Sequence, residues 1–256
     1  MKTAIVTGAA RGIGRATALR LARAGFRVGA FDLDLEGVER LAAESGMPER
    51  FVTGRLDVVD ADAWPAAIQA VTAPNGGALD VLVNNAGILR CGLFHELPLA
   101  QQRLEIEVNV IGVVNGCHAA HEALRRARGT VVNLCSAAAI YGQPELAAYG
   151  ASKFAVRGLT EALDLEWRGE GITVRAVWPL FVDTALLDGV ETSSTRSLGV
   201  HLGPDEVARA VVRMIRCPTR FTVHRAVGRQ AAFLRSISEI APSWVQRAVN
   251  ARVNGL

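Results

Sequence analysis

Two side-chain types are almost missing from this sequence. Of 28 Lys and Arg residues only Lys2 and Lys153 are lysine, and the only tyrosines are Tyr141 and Tyr149. The four cysteines (91, 117, 135, 217) form no C-x-x-C pair and no metal-ligand spacing, which argues against a disulfide scaffold or a zinc module and for reduced thiols in the cytoplasm. Histidines 95, 118, 121, 201 and 224 show no metal pattern either. No apolar run reaches about 18 residues, so no membrane span is expected. No signal peptide is expected, because Lys2 leads at once into a short strand. The net charge is +3, and no basic stripe is interleaved with aromatics, so nucleic acid is not the expected partner. What is there is 256 residues, 50% hydrophobic and 21% charged, enough chain to bury a sizeable core.

The first motif follows an apolar strand at 3–7. Gly8-Ala9-Ala10-Arg11-Gly12-Ile13-Gly14 leads into a helical pattern at 16–24. Strand, glycine-rich turn and helix is the context of a dinucleotide-binding turn, with helix amides and partial positive charge facing a pyrophosphate. A second strand, 27–31, ends at Asp32, where a carboxylate accepts hydrogen bonds from ribose hydroxyls and repels a 2′-phosphate. That favours NAD. Arg11, a cation in the turn, points the other way, to NADP. The plainer reading of Asp32 is a cap on the next helix, 35–45.

Further strands are expected at 51–56, 80–83, 130–135, 172–178 and 221–224, with helices at 61–71, 97–126, 147–167 and 204–216. The third strand runs into Asp57-Val58, the fourth into Asn84-Asn85-Ala86-Gly87, the fifth into Ser136, and the sixth is broken by Pro179. Alternating strands and helices, with the strands continuously apolar, describe a parallel sheet covered on both faces. Ligands gather at the carboxyl ends of such strands, and every position singled out above lies there.

The last motif is Tyr149-Gly150-Ala151-Ser152-Lys153. Spacing of i, i+4 puts Tyr149 and Lys153 on one helix face. An ammonium beside a phenol favours phenolate. Bringing a Tyr from its usual value of about 10 to neutrality takes about 4 kcal/mol. Lys is a compact charge that can release its proton, unlike the Arg this sequence otherwise uses. A lone Y-x-x-x-K carries little weight; its companions decide.

Assembled, these residues resemble the short-chain dehydrogenase/reductase family over about residues 3–225. The resemblance rests on Thr7-Gly8-x-x-x-Gly12-x-Gly14, Asp32, Asp57, Asn84-Asn85-Ala86-Gly87, Asn109, Ser136 and Tyr149-x-x-x-Lys153, in the family's order and spacing. It implies a single doubly wound Rossmann-type α/β domain (1–227), a parallel seven-stranded sheet with helices on both faces; the tail at 228–256 runs past the usual family end and is expected, from its own periodicity, as a C-terminal helical extension packed on the domain. The resemblance implies an NAD-dependent oxidoreductase interconverting a secondary alcohol and a ketone. Tyr149 would be the acid/base, Ser136 would bond the substrate oxygen, Lys153 would bind the nicotinamide ribose and lower the Tyr149 pKa, and Asn109 would hold a relay water. Gly8, Arg11, Gly12, Ile13, Gly14, Asp32, Asp57, Val58, Asn85, Ala86, Gly87, Pro179, Val182 and Thr184, with Tyr149 and Lys153, would contact the cofactor; no metal is implied.

A homodimer or homotetramer through 98–126 and 148–167 follows from the same resemblance. One departure stands out: Pro179 is followed by Leu180, where the family usually has Gly. Expected pocket walls at 88–94, 137–141 and Leu180, Leu186 and Leu187 are mostly apolar, favouring a hydrophobic substrate. The segment 182–203 reads as a lid or as a plain surface loop. Phe233, Leu234, Ile237 and Ile240 recur at helical spacing in a basic tail, with nine Arg against three acidic residues from Asp205 onward. Two rivals remain: an NADP-dependent ketone reductase, and a non-catalytic NAD-binding sensor, against which the intact Ser136/Tyr149/Lys153 set argues.

Overall fold

The computed structural model describes residues 1–184, 186, 192, 199–217 and 222–253. The segments expected as a lid and as the start of the last strand therefore lie largely outside the described residues, as does Leu187.

Seven strands form one sheet: β1 (Thr3–Thr7), β2 (Arg27–Asp32), β3 (Phe51–Arg55), β4 (Val81–Asn84), β5 (Thr130–Leu134), β6 (Thr173–Pro179) and β7 (His224–Val227). Their order across the sheet is β3-β2-β1-β4-β5-β6-β7, and every pairing is parallel. The order reverses between β1 and β4, so a crevice opens beyond their carboxyl ends. All five residues of β1 are buried, as a strand covered on both faces requires. The last strand sits three residues later than the apolar pattern suggests, because pairing of Ala176 with His224 through Pro179 with Val227 sets its register.

Helices cover both faces: α1 (Gly12–Arg23), α2 (Leu35–Glu44), α3 (Trp64–Thr72), α4 (Leu99–Ile106), α5 (Gly112–Ala127), α6 (Ala147–Glu166) and α7 (Pro204–Arg216), followed by α8 (Arg229–Ile240) and α9 (Ser243–Val253). Two apolar layers result. One packs Trp64, Leu82, Leu124 and Trp178 beneath α3, α5 and α6. The other packs Leu21, Val28, Leu41 and Met214 beneath α1, α2 and α7. A bidentate fork from Arg20 to Asp205, with both contacts at 2.6 Å, ties α1 to α7. In the C-terminal segment Ala231 is buried in the first layer and Leu234 packs against it.

The long helix expected over 97–126 is interrupted. Glu107–Ile111 winds as a π-type turn between α4 and α5, and Asn109 lies inside it, fully buried. Such turns are energetically poor and concentrate at functional sites.

Candidate active site

The first turn of the chain is built by its glycines. Gly8 holds φ at 64°, a left-handed conformation costly for any residue with a Cβ. Gly14 is excluded from substitution by space rather than angle: a Cβ there would lie 2.0 Å from the Gly8 carbonyl oxygen and 2.5 Å from Asn85 Nδ2. Helix α1 therefore starts hard against the β1 turn. It also starts without a side-chain cap and without an acidic residue in its first turn, so its leading amides keep their capacity for an anion. Helix α2 is different: Asp34 caps it by accepting from the Gly37 amide at 2.9 Å.

Asp32 is not that cap. Its Oδ2 accepts the Ala10 amide at 3.0 Å and its Oδ1 accepts the Asp34 amide at 3.1 Å. The carboxylate thus locks the glycine turn to the end of β2, and each oxygen keeps a lone pair for another donor.

The β4 end is pinned to β1. Thr7 Oγ1 accepts the amides of Asn85 and Ala86, both at 3.1 Å, while Asn85 Nδ2 donates to the carbonyls of Thr7 and Gly8 at 2.9 and 3.0 Å. Asn84 reaches sideways instead: its Nδ2 donates to Asn133 Oδ1 at 2.9 Å, and Asn133 Nδ2 donates to Thr160 Oγ1 at 3.0 Å. This buried chain fixes β4, β5 and α6 relative to one another. Neither Asn133 nor Thr160 stood out in the sequence; an Asn within an apolar strand was the available signal.

A cavity of about 360 Å³ runs along these strand ends, within the range of small-ligand sites. Its walls include Gly8, Arg11, Gly12, Ile13, Asp32, Asp57, Val58, Asn85, Ala86 and Gly87 at one side. Ser136, Tyr149, Lys153, Pro179, Val182 and Thr184 complete it. These sixteen positions come from seven separate stretches of the chain, yet they face one space. Gly14 and Asn109 do not line it. Gly14 acts behind the wall, through the close packing just described. Asn109 also sits behind it: Oδ1 accepts the Ile88 amide at 2.8 Å, and Nδ2 donates to the Ile88 carbonyl at 2.9 Å and to Ser152 Oγ at 3.2 Å.

Apolar side chains fill much of the rest of the wall: Ile88, Leu89, Leu146, Leu180, Phe181 and Leu186. Leu180, in place of the family's Gly, occupies the wall beside Pro179.

The Tyr149–Lys153 pair corrects one expectation. The two share a helix face, with Lys153 Nζ 5.5 Å from the Tyr149 ring centroid. Yet burial pushes the Tyr149 phenol above its usual value, and only a hydrogen bond with Ser136 opposes it. Lys153 Nζ spends its hydrogen bond on the Leu134 carbonyl at 3.0 Å, and burial lowers its own pKa. Desolvation outweighs proximity here: taking a group out of water disfavours its charged form whatever its neighbours. The protein alone therefore holds a protonated phenol at neutral pH. Ser136, at the end of β5, is buried and accepts the Ala138 amide at 3.1 Å; its hydroxyl position is set by that turn.

Among the described residues, no cluster of His, Cys, Asp and Glu suits a metal ion, and no helix is long and apolar enough to cross a membrane.

The fold and this set of side chains define a nicotinamide-type oxidoreductase scaffold, and the comparison with known proteins agrees: a family model described as short chain dehydrogenase matches residues 2–194, and the chain belongs to that family. It is similar to D-threitol dehydrogenase of Mycolicibacterium smegmatis, 39% identical over 220 residues, covering 82% of this chain and 84% of that one. It is also similar to the 3-alpha-(or 20-beta)-hydroxysteroid dehydrogenase of Mycobacterium tuberculosis H37Rv, 37% identical over 214 residues, 82% and 81% of the two chains. In three dimensions it resembles the 3-ketoacyl-(acyl-carrier-protein) reductase of Brucella melitensis complexed with NADH. There the TM-score is 0.79 and the identity 29%, over 88% of this chain and 95% of that one. An alcohol dehydrogenase of Thermococcus sibiricus complexed with 5-hydroxy-NADP gives a TM-score of 0.77 and 28% identity, over 89% and 96%.

Proposed function

We propose that this protein is an NAD(H)-dependent oxidoreductase that interconverts a secondary alcohol and a ketone on a hydrophobic substrate. The observation that carries the reading is convergence. Ser136, Tyr149 and Lys153 open into the same cavity as an uncapped helix start and the Asp32 carboxylate. When bound there, a nicotinamide dinucleotide supplies the hydride acceptor for oxidation or the donor for reduction. The uncapped amides of α1 and the Gly8–Gly12 turn suit its pyrophosphate, Asp32 the adenosine ribose, Asp57 and Val58 the adenine, and Val182 and Thr184 the carboxamide.

The chain's own residues then handle the proton. Tyr149 Oη donates to the substrate oxygen during ketone reduction, which suits a phenol held protonated. In alcohol oxidation it must first lose its own proton before it can accept the substrate's, a loss that positive charge brought into the cavity would favour. Ser136 Oγ donates a hydrogen bond to the same oxygen and orients it. Lys153 Nζ would hold the nicotinamide ribose, and Asn109 would hold a water that relays protons between Lys153 and solvent. The apolar wall from Ile88 to Leu186 excludes water and selects an apolar substrate body.

An NADP-dependent reductase is the second reading, favoured by Arg11 at the exposed rim of the cavity. The cysteine spacing, with no C-x-x-C pair, supports a cytoplasmic setting. Leu104, Ile111, Val114, Phe154 and Leu165 leave apolar surface exposed around α4–α6, which supports homo-oligomer formation there.

The test is a panel of secondary alcohols and ketones followed by NADH absorbance, in wild type and Tyr149→Phe. The variant should lose turnover by at least about 10³-fold while still binding NADH. A Tyr149→Phe protein working at near wild-type rate would overturn the assignment.

A further inference from the structure

One buried ionisable group beside the active site has no part in the chemistry above. Glu105, in α4, has 0% exposure. Its Oε1 accepts the Arg90 amide at 2.8 Å. Its Oε2 is buried without a hydrogen-bond partner among the described residues. Native interiors rarely tolerate such an oxygen, and each one calls for an explanation.

Its position supplies one. Glu105 stands four residues before Asn109, one turn earlier on the same helix side. Asn109 clamps Ile88 through both its amide and carbonyl, and Glu105 clamps Arg90 two residues on. Between them they hold the strip of chain whose Ile88 and Leu89 side chains line the cavity. The charges that act on Glu105 are Arg90 on that strip and Lys153 on α6. In return, Glu105 acts on Tyr149 and Lys153, the two groups that also feel the Cys135 thiol. On its own element Arg103 is exposed, as is Glu107 in the π-type turn that follows.

We propose that Glu105 is a titrating positioning residue: its carboxyl fixes the Ile88–Arg90 strip, and its charge state sets the pH range over which Tyr149 and Lys153 exchange protons. The proposal rests on the reading of Tyr149 and Lys153 as the working pair. Burial raises the Glu105 pKa to about 7, with the Arg90 amide, the Arg90 side chain and Lys153 holding it down. Its ionisation thus falls within the working range. Ionised Glu105 resists phenolate at Tyr149 and favours ammonium at Lys153; neutral Glu105 does neither.

Two measurements test this. In wild-type protein carrying ¹³C-carboxyl glutamate, one resonance, missing from Glu105→Gln or Glu105→Leu, should titrate near neutrality and move higher in Arg90→Ala. This readout does not depend on turnover. In kinetics, Glu105→Gln keeps an acceptor for the Arg90 amide but no charge. Its alkaline profile of kcat/KM for alcohol oxidation should shift down by about 0.5–1 unit, with Glu105→Asp tracking wild type and the KM for NAD unchanged. A glutamate resonance titrating with the ordinary surface carboxylates overturns the inference. So does a folded Glu105→Gln enzyme whose profile superimposes on wild type. Absence of turnover in every variant, wild type included, would instead refute the oxidoreductase reading while the resonance still reports on Glu105.

Discussion

Replacing Asp32 by Ala tests the cofactor assignment most directly. Each Asp32 oxygen already accepts one backbone amide, from Ala10 and from Asp34. Each therefore retains capacity for one ribose hydroxyl. Hydrogen bonds to a charged group contribute about 1.5–3 kcal/mol each. Water recovers part of the loss in the variant, so NAD binding should weaken on the order of 100-fold. For NADP the sign reverses. A 2′-phosphate of about two negative charges, roughly 4 Å from a carboxylate in water, is opposed by about 2 kcal/mol. Removing that repulsion should tighten NADP on the order of 30-fold. Asp32→Asn separates the two effects, since it keeps an acceptor and discards the charge: NADP should gain while NAD loses less than in Asp32→Ala. Losing the Ala10 and Asp34 anchors should also cost about 1–3 kcal/mol of stability, so thermal unfolding must accompany the binding data. Calorimetric titration of both dinucleotides into the folded variants is the assay. An Asp32→Ala protein that binds NAD within twofold of wild type and still rejects NADP would refute the reasoning.

Other consequences can be checked separately. Gly14→Ala places a methyl 2.0 Å from the Gly8 carbonyl; it should lower stability by about 1–3 kcal/mol in urea unfolding and weaken dinucleotide binding in parallel. Glu105 carries a folded pKa of about 7 against an ordinary 4.5. The folded state then holds a proton that the unfolded chain releases, so stability should fall between about pH 4.5 and 7, by up to about 3 kcal/mol. Unfolding midpoints measured across pH 4.5–9 should show this decline in wild type and its loss in Glu105→Gln. Phe154→Glu places a charge on exposed apolar surface of α6; light scattering should report a smaller assembly than wild type, with the cavity intact by NADH binding.

The sheet and the location of the cavity were legible because they follow from local periodicity and from what a parallel sheet does with its strand ends. Tyr149, Lys153 and Ser136 were legible by spacing, as were the glycines and Asp32. The sign of the Tyr149 shift was not. The sequence shows that a lysine is near, but desolvation depends on how completely remote segments cover the ring. Glu105 was missed for the same reason: in Glu105-Ile106-Glu107 two acids look alike, yet one is sealed and the other exposed. The π turn at Asn109 leaves no periodic trace, since one extra residue in a helix only blurs the pattern. The alternative of Asp32 as a helix cap was resolved by a neighbour two residues away, Asp34, which a local motif cannot rank.

The final helix has a bearing on how this protein is handled. Asn250 Nδ2 donates to the Gly142 carbonyl at 2.6 Å, across 108 residues of sequence, and Gly142 lies just ahead of the helix that carries Tyr149. The last described helix thus acts as a clasp on the segment that leads into α6. An affinity tag fused at that end, or a trimmed terminus, should slacken the clasp and show itself as poorer discrimination among substrates before any loss of folding.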